Sequence, residues 1–126
     1  MSSAAPYTPH LPRIAVALGD PAGIGPEIAL KAALDPSVRA ICQPVLFGDR
    51  GVLEMHARAC GLAPRLQSVA SAAGADTIDS DTTALVERPQ FKPGELQLGE
   101  LAAAHGLAAL DSARAAIEAA LRHEVD

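Results

Sequence analysis

Residues 14–31 read IAVALGDPAGIGPEIALK, and the rest of the chain is arranged around them. Ile14-Ala15-Val16-Ala17-Leu18 is an unbroken apolar run, with the length and character of a strand covered on both faces. Gly19-Asp20-Pro21-Ala22-Gly23-Ile24-Gly25 is a turn dense in glycine and proline. Beyond Pro26-Glu27 an apolar pattern with helical spacing begins, at Ile28, Leu30, Ala33 and Leu34. Proline suits the first helical position, because the N–H it lacks would have no partner there and its φ is already helical. Glu27 beside it faces the positive end of the helix dipole, an attraction of roughly 0.3–1 kcal/mol at an exposed site. The stretch predicts strand, glycine-rich turn, helix. In a parallel α/β sheet such a turn lies at the carboxyl end of its strand, the edge where ligands bind.

The same logic repeats downstream. Residues 43–47 predict a second apolar strand, ended by Gly48-Asp49-Arg50-Gly51. Residues 52–60 then have helical spacing, and Gly61 closes that helix as a C-terminal cap. Two such units in a row favour parallel pairing through right-handed crossovers. Pro36 ends the first helix near Leu34, since the residue before a proline is disfavoured in the helical region, and residues 37–41 are candidates for one more turn. Residues 64–69 predict a short third strand, 71–81 an aperiodic surface connection, and 83–87 a fourth strand ended by Pro89. From Leu98 to about Arg122 a long helix is expected, with Leu107, Leu110, Ala113, Ile117, Ala120 and Leu121 on one apolar stripe. Asp111 with Arg114, and Glu118 with Arg122, are spaced to pair on its surface. Gly99 and Gly106 mark either a break or a place where another backbone comes close. The fold class is α/β, a three-layer α/β/α arrangement around a largely parallel or mixed sheet.

At 126 residues the chain has the size of one small domain, able to bury about two-thirds of its unfolded surface. Its 49% apolar and 20% charged residues are a globular balance. No apolar run approaches the roughly 20 residues of a membrane span. Residues 1–12, MSSAAPYTPHLP, are small, polar and proline-containing, and read as a flexible tail. They lack the basic start and apolar core of a secretory signal, which points to the cytoplasm. A net charge of −5 argues against nucleic acid, which requires clustered Lys and Arg. Tyr7, Phe47 and Phe91, the only aromatic residues, make no base-stacking platform. An acidic chain still binds a phosphorylated small molecule where a few donors converge. Cys42 and Cys60 fit no metal or redox spacing and read as reduced, partly buried thiols.

Two readings of residues 19–27 stand side by side. Its glycines allow a tight reversal with close packing of helix on strand. Alternatively, backbone amides bared at the helix start hold a phosphate or border a cofactor. The pattern is neither Gly-x-Gly-x-x-Gly nor a P-loop, so neither common nucleotide fingerprint applies. His10, His56, His105 and His123 form no ligand set and read as surface or partly buried helix residues without a metal role. Asp49 reads as a helix N-cap, with a polar contact to a ligand as the alternative. No Ser/His/Asp or Cys/His arrangement is visible, nor a pair of carboxylates in an acid–base role, so no catalytic residue is assigned.

The run Gly-Asp-Pro-Ala-Gly-Ile-Gly-Pro-Glu behind an apolar strand resembles the opening of the 4-hydroxythreonine-4-phosphate dehydrogenase family, whose fold is that of the isocitrate and isopropylmalate dehydrogenases. Pro44-Val45-Leu46-Phe47-Gly48-Asp49 and then Gly94-Glu95-Leu96, leading into an Ala-rich helix, follow in the same order. The resemblance covers most of residues 13–126 and is loosest over 67–90. It implies an NAD- or NADP-dependent oxidoreductase with a divalent metal (zinc, magnesium or cobalt), held by histidines outside this chain. The implied reaction oxidises the 3-hydroxyl of 4-phosphohydroxy-L-threonine, and the β-keto acid then loses CO₂, in pyridoxal phosphate biosynthesis. A homodimer acting on a small phosphorylated hydroxy acid, without nucleic acid or membrane, is implied as well. On this reading Gly23, Ile24 and Gly25 lie near the cofactor and Asp20 supports their turn. Residues 13–126 would then be the N-terminal part of a dehydrogenase domain, inactive alone. A long amphipathic helix normally leads back to the sheet, so the ending at residues 123–126 also suggests a longer parent. Two alternatives remain: a related enzyme for a four-carbon sugar-acid phosphate or a dihydrodiol, and a non-catalytic α/β binding module.

Overall fold

The computed structural model describes residues 11–126. The tail expected over residues 1–12 lies outside the described residues except for Leu11 and Pro12, and so does His10. Four strands, β1 (Arg13–Ala17), β2 (Gln43–Gly48), β3 (Leu66–Ser68) and β4 (Thr83–Glu87), form one sheet in the order β1-β2-β4-β3. Every pairing is parallel, with Ala15 opposite Val45, Leu46 opposite Leu85 and Gln67 opposite Ala84. Helices α1 (Gly25–Leu34), α2 (Pro36–Arg39), α3 (Arg50–Cys60) and α4 (Ala103–Leu121) connect or follow the strands.

β2 is the strand covered on both faces. Its side chains alternate: Leu46 joins Leu30, Ala33, Leu53, Ala57 and Leu85 under α1 and α3, while Val45 and Phe47 join Ala84, Ala115 and Ala119 under α4. Full burial of a Leu or Phe stabilises by roughly 1.5–3 kcal/mol, so β2 is the thermodynamic centre of the fold. The connections β1→β2 and β2→β3 advance in one direction across the sheet. The step from β3 back to β4 reverses it, and the 3-10 helix Ala72–Thr77 in that step packs on the opposite face, as a constant handedness requires.

Several sequence expectations need correction. β1 is an edge strand here, with Ile14 exposed: among the described residues no further strand pairs with its outer side, and the chain end meets it instead, where Asp126 N–H donates to the Arg13 carbonyl at 2.8 Å and Arg13 Nε donates to the Glu124 carbonyl at 2.8 Å. Residues 71–81 are more than a surface connection, since Ala72 and Ala75 are fully buried against the sheet. The final helix starts at Ala103, after Gly99 breaks the segment with φ +81°; Gly106 sits inside the helix with no neighbouring backbone close to it. Its buried face is also opposite to the one expected. His105, Ala108, Ser112, Ala115 and Ala119 face inward, while Leu107 (67% exposed), Leu110 (64%), Ile117 (60%) and Leu121 (74%) face outward. Small inward residues let the helix axis sit close to the sheet, and the shorter distance outweighs the larger apolar surface of the leucine side. Glu118 and Arg122 pair as expected at 3.9 Å, but Asp111 turns away from Arg114 to take a two-pronged bond from Arg88 (2.8 and 2.7 Å).

At the amino edge of the sheet Arg39 of α2 ties the structure together. Its guanidinium donates to the carbonyls of Ala33, Ser80 and Thr82 and to the Thr83 hydroxyl.

Two outcomes follow from this packing. A Cβ at Gly25 would lie 2.1 Å from the Leu18 carbonyl oxygen, a backbone atom that cannot swing away. Gly25→Ala is expected to lower stability by about 1–3 kcal/mol in urea unfolding, and a loss below roughly 0.5 kcal/mol would contradict the packing. The bond from the Arg88 guanidinium holds the Asp111 carboxyl below its ordinary range. A depressed carboxyl contributes stability above its unfolded pKa and loses it as pH falls through the folded value. Asp111→Asn should therefore cost about 0.5–1 kcal/mol near neutral pH, discounted for the partial exposure of the pair, and the gap to wild type should close in acid.

Candidate active-site edge

All four strands run the same way, so the segments leaving β1, β2 and β4 emerge at one edge. The first of them is the glycine–proline turn. Asp20 organises it from within: its Oδ1 accepts the Ala22 N–H at 2.9 Å, and its carbonyl accepts the Gly23 N–H at 3.1 Å. This is the Asx-turn chemistry for which Asp is favoured in turns, and it gives Asp20 the supporting place expected of it. Gly19 has φ +72°, in the left-handed region that glycine enters without steric cost. Two bonds come from outside: Gly99 N–H donates to the Ala22 carbonyl at 2.7 Å, and the His56 ring Nε2 meets the Pro21 carbonyl at 2.7 Å. Ile24 occupies the N-cap of α1 and no side chain caps that helix, which leaves its first-turn amides without a side-chain acceptor. The Ile24 side chain is 65% exposed.

The second segment opens with Asp49, which is buried and does more than cap. Oδ1 accepts the Val52 N–H at 3.2 Å, as an N-cap should, and Oδ2 accepts the N–H groups of Gln90 (2.7 Å) and Phe91 (3.1 Å). One carboxylate thus fixes both the start of α3 and the segment leaving β4. Arg50 next to it bonds Glu87 at 3.2 Å and the Ser68 hydroxyl at 2.7 Å, joining the ends of β3 and β4.

Between α3 and the segment after β4 lies a cavity of about 350 Å³, lined among others by Val52, Met55, Phe91, Arg50, Arg58 and Lys92. Gly23, Ile24 and Gly25 do not line it. Ala22, Val52 and Leu96, with Met55 and Phe91, form a small apolar cluster that includes both turn and cavity residues.

Two of the histidines depart from expectation in burial, while His123 is exposed as read. His56 is 4% exposed and His105 5%, both inside rather than at the surface. The His105 ring nitrogen Nδ1 meets the Glu100 carbonyl at 3.1 Å, and the ring stands edge-on to Phe91. Nothing in the spacing of His56, Asp49 or Arg88 announces these partners, which lie 23 to 42 residues away along the chain. Cys42 and Cys60 are free and partly buried, as read.

No family model matches the chain. Curated relatives do. A Symbiobacterium thermophilum protein provisionally named D-threonate 4-phosphate dehydrogenase is 38% identical over 115 residues, 91% of this chain and 34% of that protein. The 4-hydroxythreonine-4-phosphate dehydrogenase of a Synechococcus species is 41% identical over 113 residues, 89% of this chain and 30% of the relative. Among solved structures, the 4-hydroxythreonine-4-phosphate dehydrogenase of Burkholderia phymatum superposes with a TM-score of 0.83 at 28% identity, over 94% of this chain and 35% of that one. The chain spans about a third of the length of the relatives it matches. In sequence and in fold it is similar to one third of a 4-hydroxythreonine-4-phosphate dehydrogenase.

Proposed function

We propose that the chain is part of a nicotinamide-dependent dehydrogenase that oxidises a secondary hydroxyl of a small phosphorylated hydroxy acid, with 4-phosphohydroxy-L-threonine as first substrate. The observation that carries this is the likeness to dehydrogenases of that name over nearly the whole chain, including the glycine–proline turn at the ligand-binding edge of the sheet. NAD or NADP, when bound, supplies the hydride acceptor for the carbinol hydrogen. The hydroxyl proton passes to solvent, and the β-keto acid formed loses CO₂. Residues 13–126 would supply the N-terminal part of the catalytic domain.

Gly23, Ile24 and Gly25 are proposed at the rim of the cofactor site. In support, the uncapped first turn of α1 offers amides to an anionic group, and Ile24 offers exposed apolar surface beside them. A divalent metal does not fit the residues present. Among the described residues no three His, Cys, Asp or Glu side chains are placed to hold one. Its ligands are proposed outside this chain. A homodimer in the cytoplasm completes the proposal. Among the described residues no helix is long and apolar enough to cross a membrane, and both thiols are free, as a reducing compartment would keep them.

The relative named for D-threonate 4-phosphate favours a second substrate reading within the same chemistry. That compound carries a hydroxyl where hydroxythreonine phosphate carries an amine.

Two measurements test these proposals. The 126-residue chain, supplied with Mg²⁺ or Zn²⁺, NAD⁺ and 4-phosphohydroxy-L-threonine, is expected to show no turnover above background. An enzymatic rate would refute the placement of the metal ligands elsewhere. Titration with NAD⁺ should shift the amide resonances of Gly23, Ile24 and Gly25 and leave those of Arg39 and Thr82, at the amino edge, in place; shifts confined to the amino edge would overturn the proposed cofactor rim.

A further inference from the structure

The turn that carries Gly23, Ile24 and Gly25 is poor in means of holding its own shape. Gly19, Gly23 and Gly25 have no side chains to pack, and glycine loses more conformational freedom on ordering than any other residue. Ile24 at the N-cap has no hydrogen-bonding side chain. Asp20 contributes two bonds, both within the turn. Of the two bonds from outside, one comes from Gly99, in an exposed irregular segment with positive φ. The other comes from His56, the one side chain that reaches the turn by hydrogen bond from a regular element among the described residues.

His56 is built for a single geometry. It lies in the second turn of α3, an 11-residue helix capped at its start by Asp49 and at its end by Gly61 in the left-handed conformation. Its ring is buried. A carbonyl oxygen only accepts, so the 2.7 Å contact requires the proton on Nε2. Buried polar groups left without a partner are costly, so the bond is obligatory in both directions: it satisfies the imidazole and fixes the Pro21 carbonyl. Pro21 is followed immediately by Ala22, Gly23 and Ile24, and its peptide orientation constrains those that come after. A side chain on a rigid helix places a loop more accurately than another loop does.

We propose that His56 is the positioning residue of the glycine–proline turn: its Nε2–H, delivered from α3 to the Pro21 carbonyl, orders the amides of Gly23, Ile24 and Gly25 before any ligand arrives. Its bearing on the cofactor rests on the proposed function of that turn. The ordering itself does not.

The 126-residue chain and its His56→Gln and His56→Leu variants test this. Glutamine presents an amide donor at a reach like that of Nε2, whereas leucine fills the space without a donor. Amide hydrogen exchange at Ala22 and Gly23, whose N–H groups are bonded to Asp20, should be alike in wild type and His56→Gln. In His56→Leu it should be about tenfold faster, the scale of one lost hydrogen bond, with exchange at Val45, Leu46 and Leu85 unchanged. Exchange at the turn unaltered in His56→Leu, faster at turn and core alike, or not restored by glutamine would overturn the proposal. If His56→Leu does not fold, the ring nitrogen resonances of the wild type decide: a protonated Nε2 supports the bond, and a bare Nε2 overturns it. NAD⁺ titration of the same three proteins separates the two claims. A loosened turn with no NAD⁺ shifts in any of them leaves His56 as the positioning residue and removes the cofactor reading. Equal NAD⁺ shifts at a turn that never loosened do the opposite.

Discussion

Leu18 occupies the point where three backbones converge, and the edge around it exists because two side chains are missing beside it. A Cβ on Gly25 would meet the Leu18 carbonyl at 2.1 Å, and a Cβ on Gly48 would meet its side chain at 2.2 Å. These glycines let the end of β1, the start of α1 and the end of β2 approach within van der Waals contact. From that contact follow the direction in which α1 leaves the sheet and its packing on α3. Leu18 in turn belongs to the core formed by Leu30, Leu46, Leu53 and Leu85, so the tight corner and the hydrophobic centre are one unit.

Much of this architecture was legible because it is written in local chemistry. Proline at the start of α1, Asp49 ahead of α3, Gly61 after it and the apolar runs of β2 and β4 each act within a few residues, and each appears where the chemistry puts it. The face of α4 was not legible. Periodicity locates a stripe but not the distance at which a helix settles, and Ala108, Ser112, Ala115 and Ala119 gain more by close approach to the sheet than Leu107 and Leu110 would from farther away. The 3-10 helix escaped for a related reason: Ala72 and Ala75 are small enough to pack beneath a polar-looking segment of Ser, Gly, Asp and Thr.

The candidate site divides in the same way. The glycine–proline turn declared itself by composition and spacing, and Asp20 by its turn chemistry. The partners that fix its surroundings did not. Asp49 reaches Gln90 and Phe91, Arg88 reaches Asp111, and His56 reaches Pro21, all across long stretches of chain that only the folded topology brings together. The common thread is burial. A polar group hidden from water must find a partner, but the sequence alone does not say which distant backbone will supply it.

Arg39 gives the molecule a second character at the other end of the strands. With its guanidinium engaged by three carbonyls and a hydroxyl, the amino edge is a foundation fastened by one side chain, while at the opposite edge the bonds are shared out among Asp20, Asp49, Arg50 and His56. Substitutions are therefore expected to be tolerated unequally along the strand axis. Changes in the loops at the carboxyl ends of the strands leave the base shut, so the two ends of the sheet can be altered separately.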